Sequence, residues 1–268
     1  MPRKRTKLYA LPASTPCATV EAALNLKAID YERIDLLPMS QVMIGPVRYG
    51  GTTVPGMRLD GERLVGSRLI MRRLDALVAG PPLLPPLGSP SYAEVLEAER
   101  WGDEVFQGAP RRILIAALMR GPGAMESYAG AAKMPLPVGL MRPAMPLTAR
   151  LMRMKYGARD DAARADLAEL PRQLDIIDGW IEDRLLGEEQ PNAADLQIGS
   201  AIRLLLSIAD VRPLIEERPA ARLARYFPPM AGSIAPGVLP GEWLSRATST
   251  GEERAGARQP RPGSATRR

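Results

Sequence analysis

Apolar positions in the first 80 residues fall in short runs separated by turn residues, whereas beyond residue 90 they recur at three- and four-residue intervals. The first pattern predicts strands alternating with short helices, the second a set of longer helices. Residues 7–11 form an apolar run suited to a strand. Residues 12–16 read as a turn, with Pro16 fit for the first position of a helix. In the helix expected over 17–27, Val20, Ala23, Leu24 and Leu26 form an apolar face. Residues 31–36 alternate in part and predict a second strand, and 38–53, rich in Gly and interrupted by Pro46, predict a loop. Strands are expected over 57–60 and 63–65 around a tight turn at Gly61, and Ser67 opens a helix reaching about Val78. The order β-α-β-loop-β-β-α is complete near residue 79 and is that of a thioredoxin-like unit.

The composition then changes. Residues 80–90 are Pro-rich and predict a linker. Ser91 and Glu94 have the spacing of a capping box, followed by Val95, Ala98, Trp101 and Val105 at helical intervals. Residues 111–119 continue as helix. Between 160 and 186, Leu167, Leu170, Leu174, Ile177, Ile181 and Leu185 step by three and four, and Pro171 within this run predicts a kink or a restart. Asn192 and Asp195 cap a last helix carrying Leu196, Ile198, Ile202, Leu205 and Leu206, and the role expected of Asp195 is to fix that helix start. From about residue 246 the chain is Gly, Ser, Thr, Pro and Arg, a composition that predicts disorder.

Composition narrows the chemistry. The 268 residues include no histidine and a single cysteine, Cys17, which excludes Ser-His-Asp and Cys-His catalysis, an internal disulfide and Cys- or His-built metal sites. The net charge of +6 is concentrated at the ends: +4 over residues 1–7 and +3 over 251–268 leave residues 8–250 at −1. Basic ends on a near-neutral body predict solvated tails and no nucleic-acid partner. No apolar run reaches the ~20 residues of a membrane span, and the N-terminus lacks an apolar signal core, so a soluble cytoplasmic protein is expected. Residues 121–156 combine Met125, Met134, Met141, Met145, Met152 and Met154 with prolines and with Lys133, Arg142, Arg150, Arg153 and Lys155. Such a segment suits a membrane-surface contact or a lid over a site; an irregular helical connection packed on the core is the plainer expectation.

Two short motifs carry the functional reading. A cis bond between Val54 and Pro55, tolerated cheaply only before proline, turns the N–H and C=O of Val54 toward a peptide ligand. Ser67, following Gly66 at a helix start, offers a hydroxyl and a free N–H to a carboxylate. Together they predict a site for a small acidic thiol peptide.

Leu8-Tyr9 on the first strand, Ser14 before a helix with Val20 and Leu24, Val54-Pro55, Gly66-Ser67, the Pro-rich linker and Pro191-Asn192-Ala193-Ala194-Asp195 form one ordered pattern. It resembles the cytosolic glutathione S-transferase superfamily, most closely a divergent bacterial branch, over residues 7–79 and about 91–227. The resemblance implies an α/β thioredoxin-like N-terminal domain (1–79), the linker 80–90, an all-α helical-bundle C-terminal domain (91–245) and a disordered basic tail (246–268). It further implies glutathione, or another low-molecular-weight thiol, as co-substrate, no metal, an electrophilic small molecule as acceptor, and a homodimer. By position Ser14 corresponds to the catalytic Ser or Cys, Val54 to the residue pairing with the cysteinyl backbone, Pro55 to the cis-proline and Ser67 to the hydroxyl that holds the γ-glutamyl carboxylate. Thr53 lies where a loop residue approaches the tripeptide. Gly66 stands where the family usually carries an acid or Gln and offers backbone alone. Ser14-Thr15-Pro16-Cys17 overlays a Cys-x-x-Cys motif whose nucleophile is replaced by Ser, which disfavours disulfide exchange. Ser14 serves either as thiol activator or as helix cap. Tyr9 is a second hydroxyl or a core residue, Cys17 a reactive thiol or a buried small hydrophobe, and Trp101 and Phe106 line an acceptor pocket or pack the core. A transferase-like enzyme is the leading expectation; the alternative is a protein of the same fold that holds an apolar ligand or a protein partner without turnover.

Overall fold

The computed structural model describes residues 6–121, 123–130, 132 and 137–245. The basic start at Arg3, Lys4 and Arg5, the tail expected over 246–268, and Lys133, Met134 and Pro135 of the Met-rich segment lie outside the described residues. The first unit contains β1 (Thr6–Ala10), α1 (Thr15–Leu26), β2 (Tyr31–Asp35), α2 (Gln41–Arg48), β3 (Gly56–Leu59), β4 (Glu62–Val65) and α3 (Ser67–Leu77). The strands form one mixed sheet in the order β2-β1-β3-β4, with β1 parallel to β2 and antiparallel to β3, and β3 antiparallel to β4. This is the thioredoxin-like arrangement. Asp60 and Gly61, both at positive φ (49° and 95°), make the tight turn between β3 and β4, the conformation an Asp-Gly pair favours in a two-residue hairpin.

Alternation along β1 sorts its side chains to two faces. Leu8 and Ala10 join Val20, Leu24, Met57, Ile70 and Leu74 in the core under α1 and α3, while Tyr9 packs with Leu36 and Tyr49 on the other face. That second face corrects the loop expected over 38–53, where the chain forms α2 instead. The fully buried Tyr49 ring leaves no room for a side chain at Gly45 or Gly56: a Cβ added there would lie 2.6 and 2.2 Å from its atoms. Packing of this kind selects the helix although Pro46 removes one of its backbone bonds.

The linker is clamped rather than loose. Lys27, whose side chain is buried, pairs with Asp75 at 2.8 Å and donates to the carbonyls of Val78 and Pro81. Asp75 in turn accepts from the backbone N–H of Leu83 and Leu84. The Leu83 carbonyl receives the N–H of Ala193 at 2.7 Å, which ties the linker to the helical unit.

That unit comprises α4 (Pro90–Trp101), α5 (Gly108–Arg120), α6 (Ala124–Gly130), α7 (Val138–Met141), α8 (Met145–Tyr156), α9 (Asp160–Glu182) and α10 (Ala193–Leu206), with short 3-10 turns after α7 and α10. Its core is built by Ile113, Leu167, Leu170, Leu174, Ile177, Ile198 and Ile202. Two expectations change here, and of the kink or restart expected at Pro171 the restart is absent. The helix start lies at Ser89, with Pro90 in the first turn, and no side-chain cap forms, so the Ser91–Glu94 box is absent; proline's preference for the first helical position decides the start. α9 runs through Pro171 without a restart. A π-helical turn over Gly102–Phe106 inserts between α4 and α5 and shifts the helical phase by one residue. Phe106 is consequently fully buried, while Val105, expected on the inner face, is 50% exposed. Gly102 permits this approach, since a Cβ there would lie 2.7 Å from Ile198 on α10.

Candidate functional site

A cavity of about 720 Å³ opens between the sheet unit and the helices, within the size range of small-molecule sites. One wall comes from three loops of the first unit and the other from α5, α6 and α8.

The first loop leads from β1 into α1. Ala13 sits at φ 56°, a conformation uncommon without glycine, and Ser14 follows with its backbone N–H on the Leu11 carbonyl. Ser14 holds the N-cap position of α1, yet its side chain makes no capping hydrogen bond; it is half-buried and lines the cavity. Behind it Cys17 is buried, and burial pushes its thiol up to about 11, against the smaller pull of the Ser14 side chain and the Leu11 backbone. A thiol in that state is neither exposed nor ionised, which is the small-hydrophobe role. Tyr9 is buried, its ring 5.1 Å from that of Tyr49, in the core role.

The second loop carries Thr53, exposed, and the cis Val54–Pro55 bond. Among the described residues the backbone N–H and C=O of Val54 make no intramolecular hydrogen bond, while the Pro55 carbonyl accepts from Gly66 N–H at 2.9 Å. That bond joins the second loop to the third. There Gly66, at φ 92°, turns the chain into α3, and the N–H groups of Ser67, Arg68 and Leu69 have no intrahelical acceptor. The Ser67 hydroxyl donates to Gln197 Oε1 on α10 at 3.0 Å, so it is engaged across the boundary between the units rather than free toward the cavity.

Gln197 belongs to a polar chain along the cavity floor. Its Nε2 and that of Gln107 donate to Asp103 Oδ1, and the Gln107 carbonyl accepts from Arg111. Desolvation raises the Asp103 carboxyl and lowers the Arg111 guanidinium from their ordinary values. Beyond Arg111 the wall is apolar, with Leu114, Ile115 and Leu118 of α5 facing Met141, Met145, Met152 and Tyr156. Part of the Met-rich segment thus closes over the cavity, as a lid would, although other members point outward, Met154 among them.

Thr53, Val54, Pro55, Gly66, Ser67 and Ser14 therefore meet on one wall. Trp101 and Phe106 do not join them. Phe106 is wholly buried and Trp101 packs between it (5.5 Å between ring centres, stacked) and Trp180 (5.2 Å, edge-on), away from the cavity lining. The opposite wall is made instead by Gln107, Arg111, Leu114, Ile115 and Leu118. Their spacing of four, three, one and three is the only trace of this wall in the sequence. Among the described residues no cluster of three or more Cys, Asp or Glu is placed to hold a metal ion, and no helix is long and apolar enough to cross a membrane.

Residues 8–82 match the family model of the glutathione S-transferase N-terminal domain. The fold of the whole chain is similar to that of FzlA from C. crescentus (18% identity, TM-score 0.60, covering 91% of this chain and 99% of that one). It is likewise similar to a glutathione S-transferase from Rhodospirillum rubrum F11 (20%, 0.59, 90% and 99%) and to one from Sinorhizobium meliloti 1021 (18%, 0.52, 91% and 99%). No curated protein matches the chain in sequence. The first unit is thus matched by the glutathione S-transferase N-terminal domain, and the sheet and helices together have the fold of the glutathione S-transferases.

Proposed function

We propose that the protein is a glutathione S-transferase-like enzyme that binds glutathione on the first-unit wall and activates its thiol for attack on an electrophilic small molecule held against the helical wall. The observation that supports this reading most is the convergence of three open hydrogen-bonding elements on one cavity, opposite an apolar surface. These are the Ser14 hydroxyl, which caps nothing and has the buried Cys17 thiol as its neighbour, the unpartnered Val54 backbone and the first turn of α3.

In this reading Val54 pairs with the cysteinyl backbone beside Pro55, and Thr53 flanks the peptide. The free N–H groups at Ser67 and Arg68, with the positive end of α3, hold the γ-glutamyl carboxylate. Gly66 contributes backbone only, and Ser67 acts through its N–H because its hydroxyl hydrogen goes to Gln197. Ser14 donates its hydroxyl hydrogen to the sulfur. A free thiol has a pKa of ~8.5 and is mostly protonated at neutral pH. A charge-assisted hydrogen bond of about 1.5–3 kcal/mol lowers that by roughly 1–2 pH units. The proton passes to solvent, and the thiolate forms a bond to the electrophilic carbon of the acceptor, whose displaced electron pair departs with a leaving group or moves onto the acceptor's own electron-withdrawing group. The same reading implies a homodimer, and light scattering that returns the mass of a single chain removes that part of it.

A second reading, a protein of this fold that holds an apolar ligand without turnover, is favoured by the engaged Ser67 hydroxyl and by Gly66. Titration calorimetry with glutathione separates the two. On the first reading wild type releases heat at micromolar to millimolar glutathione, and Ser14→Ala keeps the affinity while losing the ultraviolet absorbance of the bound thiolate. Absence of heat at several millimolar glutathione sinks the transferase reading and leaves the binding protein.

A further inference from the structure

The wall formed by α5 carries a cation that none of these roles uses. Arg111 lines the cavity at the point where its polar floor meets its apolar part. One N–H group donates to the Gln107 side chain, and the guanidinium lies over the Tyr156 ring, 4.9 Å from its centre. Among the described residues it forms no salt bridge, and its other N–H groups have no protein acceptor. The arginines around it are partnered. Arg68 reaches Glu104, Arg72 reaches Glu99 and Arg112 reaches Asp166. Arg203, the other guanidinium that burial pushes down, spends its donors on the carbonyls of Pro228 and Pro229. Among the described residues Arg111 alone combines desolvation, an unfilled donor fork and an opening into a cavity. A buried charge without a partner is costly to keep, and such a group in a cleft points to function. Among the described residues the one acid on the cavity lining, Asp103, faces the amides of Gln107 and Gln197 and lies 4.0 Å from Arg68. Arg68 and Arg111 against Asp103 leave the described part of the lining with a net positive charge.

We propose that Arg111 is a specificity-determining residue that grips the anionic group of the molecule filling the apolar part of the cavity, so that the acceptor is an apolar carboxylate. The planar fork suits a carboxylate in two-point contact, and Leu114, Ile115, Leu118 and Tyr156 cover the hydrocarbon beyond it. The acceptor role rests on the transferase reading; the anion subsite does not.

Two dyes with the same ring system test it: anilinonaphthalene sulfonate, which is anionic, and N-phenylnaphthylamine, which lacks the sulfonate. Wild type is expected to bind the anionic dye more tightly than the neutral one. Arg111→Met should weaken the anionic dye by roughly 10- to 100-fold, the span of a charge-assisted hydrogen bond, and leave the neutral dye unchanged. Arg111→Lys, which keeps the charge without the fork, should fall between; it also serves if the Met variant does not fold. Equal loss of both dyes, loss of neither, or a wild type that binds neither overturns the proposal. So does an Arg111→Met protein that keeps the anionic dye but loses its glutathione heat, since the fork then serves the thiol peptide. A wild type that binds the anionic dye through Arg111 but shows no glutathione heat supports the subsite and removes the transferase reading alone.

Discussion

The helices α10 and α1 both begin at the boundary between the two units, and their first turns are finished in opposite ways. At α10, Asn192 accepts from the N–H of Ala194 and Asp195, while the Asp195 carboxylate accepts from Asn192 N–H at 2.9 Å and from Gly187 N–H at 2.7 Å. Every element of that start is closed on the protein. At α1, Ser14 occupies the corresponding position and caps nothing. A helix leaves four N–H groups without partners at its start. A protein that saturates them at one helix and leaves them open beside a cavity at another has separated structural from available donors. The start of α3, with Gly66 in the N-cap position and no side-chain cap, belongs with α1.

The contrast breaks most visibly at Asp195. It is fully buried, and Asp195→Ala orphans two backbone donors. Each costs about 1–3 kcal/mol, offset in part by relief of the carboxylate's desolvation, so a loss of about 2–4 kcal/mol at pH 7 is expected from urea unfolding. The loss should grow in acid. Burial raises this carboxyl from 3.8 to about 6 in spite of the N–H groups it accepts. Between those values the folded protein binds a proton that the unfolded chain does not, so lowering the pH from 7 to 4 stabilises wild type relative to the variant. The gain is on the order of 3 kcal/mol. A wild-type advantage that shrinks over that interval refutes the assignment.

Asn192→Ala removes only the cap and a bond from Nδ2 to the Leu185 carbonyl, and should cost about 1–2 kcal/mol. A loss below about 0.5 kcal/mol, within the range of plain surface changes, would mean that the box does not hold the helix.

Local pattern carried much of this architecture into view. The strands lie within one residue of the expected bounds, and the Asn192–Asp195 box and the Val54–Pro55 cis bond were written in adjacent residues. What escaped depended on contacts distant in sequence. The helix α2 follows from Tyr49 seated on Gly45 and on Gly56 of a neighbouring strand. The one-residue phase shift that buries Phe106 in place of Val105 needs Gly102 against Ile198, 96 positions away along the chain. The engagement of Ser67 by Gln197 spans 130 positions, and no local pattern reports it. Arg111 read only as part of a continuing helical run, because its lack of a carboxylate partner is a property of the fold around it.

The smallest expected effect discriminates best. Ser14→Ala at a true N-cap would cost about 1 kcal/mol, but the Ser14 side chain accepts no hydrogen bond from the first turn of α1. Unfolding of the variant in urea should therefore fall within about 0.5 kcal/mol of wild type, beside the larger loss for Asn192→Ala measured in the same way. If Ser14→Ala instead matches Asn192→Ala, the serine is a cap, the two helix starts are alike, and the cavity loses its thiol-activating hydroxyl. A near-zero change in stability means that the hydroxyl, whose protein neighbour is the Cys17 thiol, is not needed by the helix and can turn to the bound thiol, so its absence should register in the absorbance of the bound thiolate and not in the fold.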